Sequence, residues 1–236
     1  MNVTIILVGT THPGNIGATA RAMKNMGLNE LRLVNPKSFP DPEASARASG
    51  AEEILRNATI FDNLSDAIKD FTYVVGASSR SRTIDWPSFD VRACAIRLLQ
   101  EGCNGKAAAV FGPEHSGLTN SDLDHCHALL TIPSDPSFSS LNIAMAVQIL
   151  TYELRMSFYD GLHDEHKSGT PLASVEELEH FYSHLEDVLT RSNFLDADNP
   201  RYLMRRLRRF FVRATPDKNE VNIFRGILTS LDQKKV

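Results

Sequence analysis

Two polar loops carry the residue types that could bind and orient a small molecule. Residues 111–118 read Phe-Gly-Pro-Glu-His-Ser-Gly-Leu, and residues 138–144 read Phe-Ser-Ser-Leu-Asn-Ile-Ala. Each comes after a short apolar run, at 107–111 and at 128–132. In open α/β sheets, ligands lie just beyond the carboxyl ends of strands. Glycine lets the backbone close on a ligand there, while Ser and Asn side chains fix its polar edges. The two loops are separated by one short helical stretch, which points to a single pocket. A third segment, Asn-Ile-Gly-Ala-Thr-Ala-Arg at 15–21, follows the first apolar run. Asn15 is placed to cap a helix there, Gly17 to allow close packing, and Arg21 lies about two turns in. A fourth segment, 78–83, is polar and doubly basic, so Arg80 and Arg82 could hold a phosphate through paired N–H groups.

Near the C-terminus, residues 201–213 hold six arginines among aromatic and aliphatic residues. At helical spacing, Arg201, Arg205, Arg208 and Arg209 fall on one side, and Leu203, Leu207, Phe210 and Phe211 on another. The basic side is a candidate contact for a nucleic-acid backbone. The alternative is a charged face balanced by Glu176, Glu177, Glu179 and Glu186. His180 and His184 stand four residues apart, and His125 stands two before His127, but neither pair has an evident third ligand, so no metal site is expected. The Gly-x-Gly-x-x-Gly pattern of dinucleotide-binding folds does not occur.

These segments need a scaffold, and the pattern supplies one. Apolar stretches at 3–8, 31–34, 59–61, 73–76, 107–111 and 129–132 read as strands buried on both faces. Amphipathic stretches at 15–26, 64–71, 91–100, 121–126 and 141–158 alternate with them and read as helices. This alternation predicts a doubly wound α/β domain over residues 1–160. Gly27 stands where a helix C-cap is needed, and the helix at 141–159 is apolar on most sides, as for a core or a partner interface. Residues 161–173 are polar and aperiodic and read as a linker. Beyond them, 174–236 holds three helical stretches, at 174–190, 200–214 and 219–231; Ser174 and Glu177 form a capping box at the first.

The 236 residues are 42% hydrophobic and 23% charged, with a formal net charge of −4. That composition can bury a core, and any nucleic-acid signal must be local. No apolar run approaches the roughly 20 residues of a membrane helix, and residues 1–9 read as a buried strand rather than a signal peptide. Cys94, Cys103 and Cys126 are odd in number and scattered, which favours a reducing cytoplasm over a disulfide framework.

The three polar segments, in this order and spacing, resemble the motifs of the SPOUT-superfamily RNA methyltransferases. Leu-Val-Asn-Pro at 33–36, the segment 75–83 and the appended helices extend the resemblance to the bacterial tRNA (cytidine/uridine-2′-O)-methyltransferases of that superfamily. The one departure is Pro113, where a basic residue is expected. The resemblance implies a parallel sheet with a C-terminal trefoil knot, an exception to ordinary chain topology. It implies S-adenosylmethionine as cofactor, held by Ala77, Ser78, Ser79, Gly112, Ile132, Ser139, Ser140 and Leu141. Asn15, Arg21 and Ser140 are the implied catalytic set. Tethered guanidinium stays protonated in proteins, so Arg21 is better suited to stabilise a developing alkoxide, or to hold a phosphate, than to act as a base. Glu114 could be a base or a structural residue of its loop. The implied partners are tRNA, contacted by Arg80, Arg82 and the C-terminal arginines, and a second copy of the chain; DNA and membranes are not. The implied reaction is 2′-O-methylation of the pyrimidine nucleotide that opens the anticodon loop, position 32. The same chemistry on ribosomal RNA, a non-catalytic RNA-binding protein and a small-molecule α/β enzyme remain alternatives.

Overall fold

The computed structural model describes residues 1–78, 86–161, 170–196 and 202–233. Its centre is a seven-stranded parallel sheet. In chain order the strands are β1 (Val3–Val8), β2 (Leu31–Val34), β3 (Thr59–Phe61), β4 (Tyr73–Ala77), β5 (Ser88–Phe89), β6 (Ala107–Phe111) and β7 (Ala128–Leu130). They lie side by side as β3-β2-β1-β6-β4-β7-β5. Ile5, Ile6 and Leu7 of β1 and Ala107–Phe111 of β6 are buried on both sides, because helices cover both faces of the sheet.

One face is covered by α1 (Pro13–Met26), α2 (Pro42–Ala48), α3 (Glu52–Asn57), α5 (Val91–Asn104) and α7 (Ile143–Tyr159). The other is covered by α4 (Leu64–Ile68) and α6 (Asn120–Asp124), with Trp86 and Val175 completing its core. Helix α1 begins at Pro13, whose fixed φ suits the first turn and whose missing N–H is no loss there. Asn15 is therefore inside the helix and does not cap it, contrary to the sequence reading. The helix ends at Gly27, at φ 79°, as its spacing predicts. Gly17 lets α2 lie directly on α1, since a Cβ there would come within 2.0 Å of the Ala44 carbonyl oxygen. Helices α2 and α3 and strand β5 were not expected from the hydrophobic pattern.

Three helices follow: α8 (Val175–Arg191), α9 (Leu203–Ala214) and α10 (Lys218–Gln233). Ser174 and Glu177 form the expected capping box at the start of α8. Ala173, Leu178, Phe181, Tyr182, Phe211, Val221 and Leu228 make a separate core. Ala173 is fully buried in it, so this unit takes up the end of the stretch read as a linker. The first N–H groups of α8, on Val175 and Glu176, donate to the carbonyls of Phe71 and Lys69, which seats the helices on the α/β domain.

Candidate active site

Strands β6, β4 and β7 are consecutive neighbours running in the same direction, so the chain leaves all three at one edge of the sheet. The loops after them line a cavity of about 260 Å³. Ala77 and Ser78 come from the end of β4, Gly112 from the end of β6, and Ile132, Ser139, Ser140 and Leu141 from the stretch between β7 and α7. The structure thus gathers around one cavity every described residue of the expected cofactor set. Ser79 of that set lies outside the described residues, as do Arg80, Arg82 and Arg201. Gly112 is required by close approach: a Cβ there would stand 2.3 Å from the Leu118 nitrogen, where the loop folds back on itself. Leu118, Ile132 and Leu141 supply apolar wall, and His115 faces the same space.

Glu114 ties this loop to the start of α1. One carboxylate oxygen accepts from the Thr11 N–H at 3.0 Å and the Thr11 hydroxyl at 2.9 Å. The other accepts from the His12 N–H at 3.3 Å and the Asn15 amide at 2.8 Å. Burial alone would raise the pKa of Glu114. The bonds from Asn15 and Thr11 outweigh it and hold the carboxyl down at about 2. With four donors on its two oxygens, Glu114 anchors its loop to the start of α1. Asn15 then passes the connection on, its Oδ1 accepting from the Asn142 amide at 2.9 Å. Asn142 in turn caps α7, its side-chain oxygen accepting from the Ala144 and Met145 N–H groups. The three polar segments are thereby joined by Glu114, Asn15 and Asn142. Asn142 lies just before α7, which starts at Ile143, whereas the hydrophobic pattern alone starts this helix at 141 and hides the cap.

Arg21 does not line the first cavity. It faces a second one, of about 670 Å³, with Asn15, Asn25, Glu43, Arg47, Asn142 and Gln148 among the lining residues. Asn15 and Asn142 border this second cavity, and Glu114, bonded to Asn15, borders the first. Arg47 comes from the unexpected helix α2, whose alanine-rich sequence has no large apolar stripe to reveal it.

The arginine-rich helix is arranged differently from its sequence reading. Arg205 turns inward and binds Asp124 at 2.8 Å. Arg208 forms a two-pronged pair with Glu179 and lies over the Tyr182 ring, 4.5 Å from its centre. Glu179 also bonds His125 at 3.2 Å. Burial would raise the Glu179 pKa, but His125 and Arg208 hold it at about 2. Arg205 and Arg208 are thus committed to contacts within the chain, so the expected continuous basic face is corrected. Phe210, one of the apolar stripe at 203, 207, 210 and 211, is 53% exposed, while Phe211 and Val212 are buried. His127 is buried, accepting the Val74 N–H on its Nδ1 at 3.1 Å, and burial pushes its pKa down to about 4. Among the described residues no group of three or more His, Cys, Asp or Glu is placed to hold a metal ion.

Comparison with known proteins accounts for both units. Residues 2–152 match the SpoU rRNA Methylase family, and residues 176–236 match the family described as tRNA methyltransferase TrmJ, C-terminal domain. The tRNA (cytidine/uridine-2′-O-)-methyltransferase TrmJ of Yersinia enterocolitica is 47% identical, over 99% of this chain and 92% of that protein. The crystal structure of TrmJ from Z. mobilis ZM4 superposes with a TM-score of 0.83 at 33% identity, covering 97% of this chain and 98% of that one. A probable methylase family protein from Haemophilus influenzae Rd KW20 gives a TM-score of 0.65 at 39% identity, covering 99% and 97%. The chain, with the methylase motifs gathered at one sheet edge and the matching C-terminal helices, belongs to the SpoU methylase family and, over nearly its whole length, to the TrmJ family of tRNA (cytidine/uridine-2′-O-)-methyltransferases.

Proposed function

We propose that the chain transfers a methyl group from S-adenosylmethionine to the ribose 2′-hydroxyl of cytidine or uridine in tRNA, at position 32, which opens the anticodon loop. The observation that carries this reading is the convergence of Ala77, Ser78, Gly112, Ile132, Ser139, Ser140 and Leu141 on one cavity in a chain of this family. The cavity suits the cofactor. Leu118, Ile132 and Leu141 offer an apolar slot for adenine, the folded 112–118 loop brings backbone close, and the serine hydroxyls can bind polar edges. When bound, the cofactor supplies an electrophilic methyl carbon. The chain's residues place the ribose and stabilise charge. The new C–O bond would form as the sulfonium S–C bond breaks, leaving the thioether, and the hydroxyl proton would pass to solvent. Ser140 orients cofactor or nucleotide, and Arg21 donates to the 2′-oxygen, or to the adjacent phosphate. The α/β domain, 1–160, binds cofactor with its last loop threaded as a trefoil knot, and 174–236 holds tRNA in the cytoplasm.

The active unit is a homodimer. Arg21 and Ser140 face different cavities of one chain. On α7, Met145, Ile149 and Tyr152 are exposed, at 64%, 37% and 49%, beside the Arg21 cavity. A second copy covering this face would bring the Arg21 of one chain to the other's cofactor. Labelled S-adenosylmethionine with total tRNA, followed by mass-spectrometric mapping, tests the reaction. Label on the 2′-oxygen of nucleotide 32 is expected. Label on ribosomal RNA alone, on a base, or on no RNA overturns it. Arg21→Ala is expected to abolish turnover with little change in cofactor affinity. A mixture of Arg21→Ala and Ser140→Ala chains should recover part of the activity if the sites are shared between copies, and none if each copy works alone.

A further inference from the structure

We propose that the outward face of α9 is a stacking surface for unpaired bases, on which Tyr202 and Phe210 take bases while Arg206, Arg209 and Arg213 hold the phosphates around them. This deepens the reading of tRNA as substrate and rests on it. At 100° per residue, positions 202, 206, 209, 210 and 213 share an arc of about 100° of the helix. Beyond Arg209 the helix turns inward: Arg205 and Arg208 bind Asp124 and Glu179, and Phe211 and Val212 are buried. Tyr202 and Phe210 are each 53% exposed. Arg206 and Arg213 are exposed and make no ion pair among the described residues, and the Arg209 Nε is buried without a partner. No acidic residue occurs from Leu203 to Ala214, in a chain whose net charge is −4. Phe210 is held edge-on by the Phe211 ring, 5.3 Å away at 87°, so its exposed face is preset.

Cations interleaved with open aromatic rings suit a polyanion that also presents flat apolar faces. Duplex RNA hides those faces, whereas loops and single strands expose them. Tyr202 and Phe210 are about 12 Å apart along the helix, with Arg206 between them to meet the connecting phosphates.

Binding of unmodified tRNA to the full chain, measured by anisotropy over a range of salt concentrations, tests this. Phe210→Ala and Tyr202→Ala should each raise Kd about 5- to 20-fold with the salt slope unchanged, and Phe210→Trp should restore affinity. Arg206→Ala and Arg213→Ala should each flatten the slope of log K against log salt by about 0.7 to 0.9. Arg205→Ala, on the inward side, should lower the melting temperature without changing the slope. Unchanged Kd in the aromatic variants, with melting curves like the wild type, overturns the stacking role and points to another occupant such as an acidic protein. Unchanged slopes overturn the phosphate role. If the wild type methylates no tRNA, the function reading fails separately. The same variants are then compared on poly(U), where weakened binding supports the face and equal binding overturns it.

Discussion

Two glutamates, one in each unit, show how differently a carboxylate can be used. Glu114 and Glu179 are both partly buried, both are held at about 2, and both join several elements. Around Glu114 the donors are neutral: backbone N–H groups, a hydroxyl and an amide at the start of α1. Around Glu179 they are the Arg208 guanidinium and the His125 ring. Glu114 leans on the partial positive charge of a helix N-terminus, and Arg21, farther along the same helix, faces the second cavity with no ion pair among the described residues. Glu179 uses up an arginine to fasten α8, α9 and the end of α6 together. A binding edge keeps its cations in reserve, whereas a fastening spends them.

Removing each carboxylate should separate these roles. The largest effect is expected from Glu114→Ala, which leaves the Thr11, His12 and Asn15 donors without their acceptor and releases the 112–118 loop from α1. Turnover should fall at least about 100-fold, since small displacements of a positioned group cost that much. Cofactor affinity, read by calorimetry, should fall with it. Full turnover in this variant would break the comparison. Glu179→Ala comes next. It strands Arg208, whose side chain is 19% exposed, and should cost about 2–3 kcal/mol of stability with cofactor affinity unchanged. Replacing both partners, Glu179→Leu with Arg208→Met, should recover most of that loss.

The pH dependence follows from the same groups. Both carboxyls ionise more readily folded than unfolded, so their stabilisation is present above about pH 4.5 and lost as pH falls towards 2. His127 acts at higher pH. Its folded value of about 4 lies below the usual 6.5, so between 6.5 and 4 the unfolded chain takes up a proton the folded chain refuses. Stability should therefore decline from about pH 6.5 downward. Glu114→Gln and Glu179→Gln should flatten only the part below 4.5, a difference that urea titrations at stepped pH would resolve.

Much of this arrangement was legible in the residues, and the failures have physical causes. Strands 3–8, 31–34 and 107–111 stand out because a parallel sheet covered on both faces must be apolar nearly throughout, whereas 59–61, also read as buried, is the sheet's edge strand with Thr59 and Ile60 exposed. The cofactor loops stand out because glycine and serine interrupt those runs. Helix α2 does not, because its buried residues are Ala44 and Ala48, and it packs by small-residue contact at Gly17. Asn15 looks like a cap until Pro13 is given its due two residues earlier. Helix α9 misleads most, since its arginines spread over nearly half of its circumference. Periodicity can divide them into faces, but only the burial of Phe211 and Val212 and the acids on α6 and α8 decide which face is inward.

The smallest predicted effect is the sharpest test of the contrast between the two glutamates. Salt screens charge–charge attraction and leaves bonds from neutral donors nearly untouched. The Glu179–Arg208 pair is sheltered, with side chains 25% and 19% exposed, so screening should weaken it only in part. Raising salt from 0.1 to 1 M sodium chloride should lower wild-type stability by less than about 1 kcal/mol through this cluster. The loss should persist in Glu114→Gln and disappear in the Glu179→Leu, Arg208→Met double variant. Equal salt sensitivity in both would mean that the Glu114 anchor also depends on a cation, and the division between reserved and committed arginines would fail.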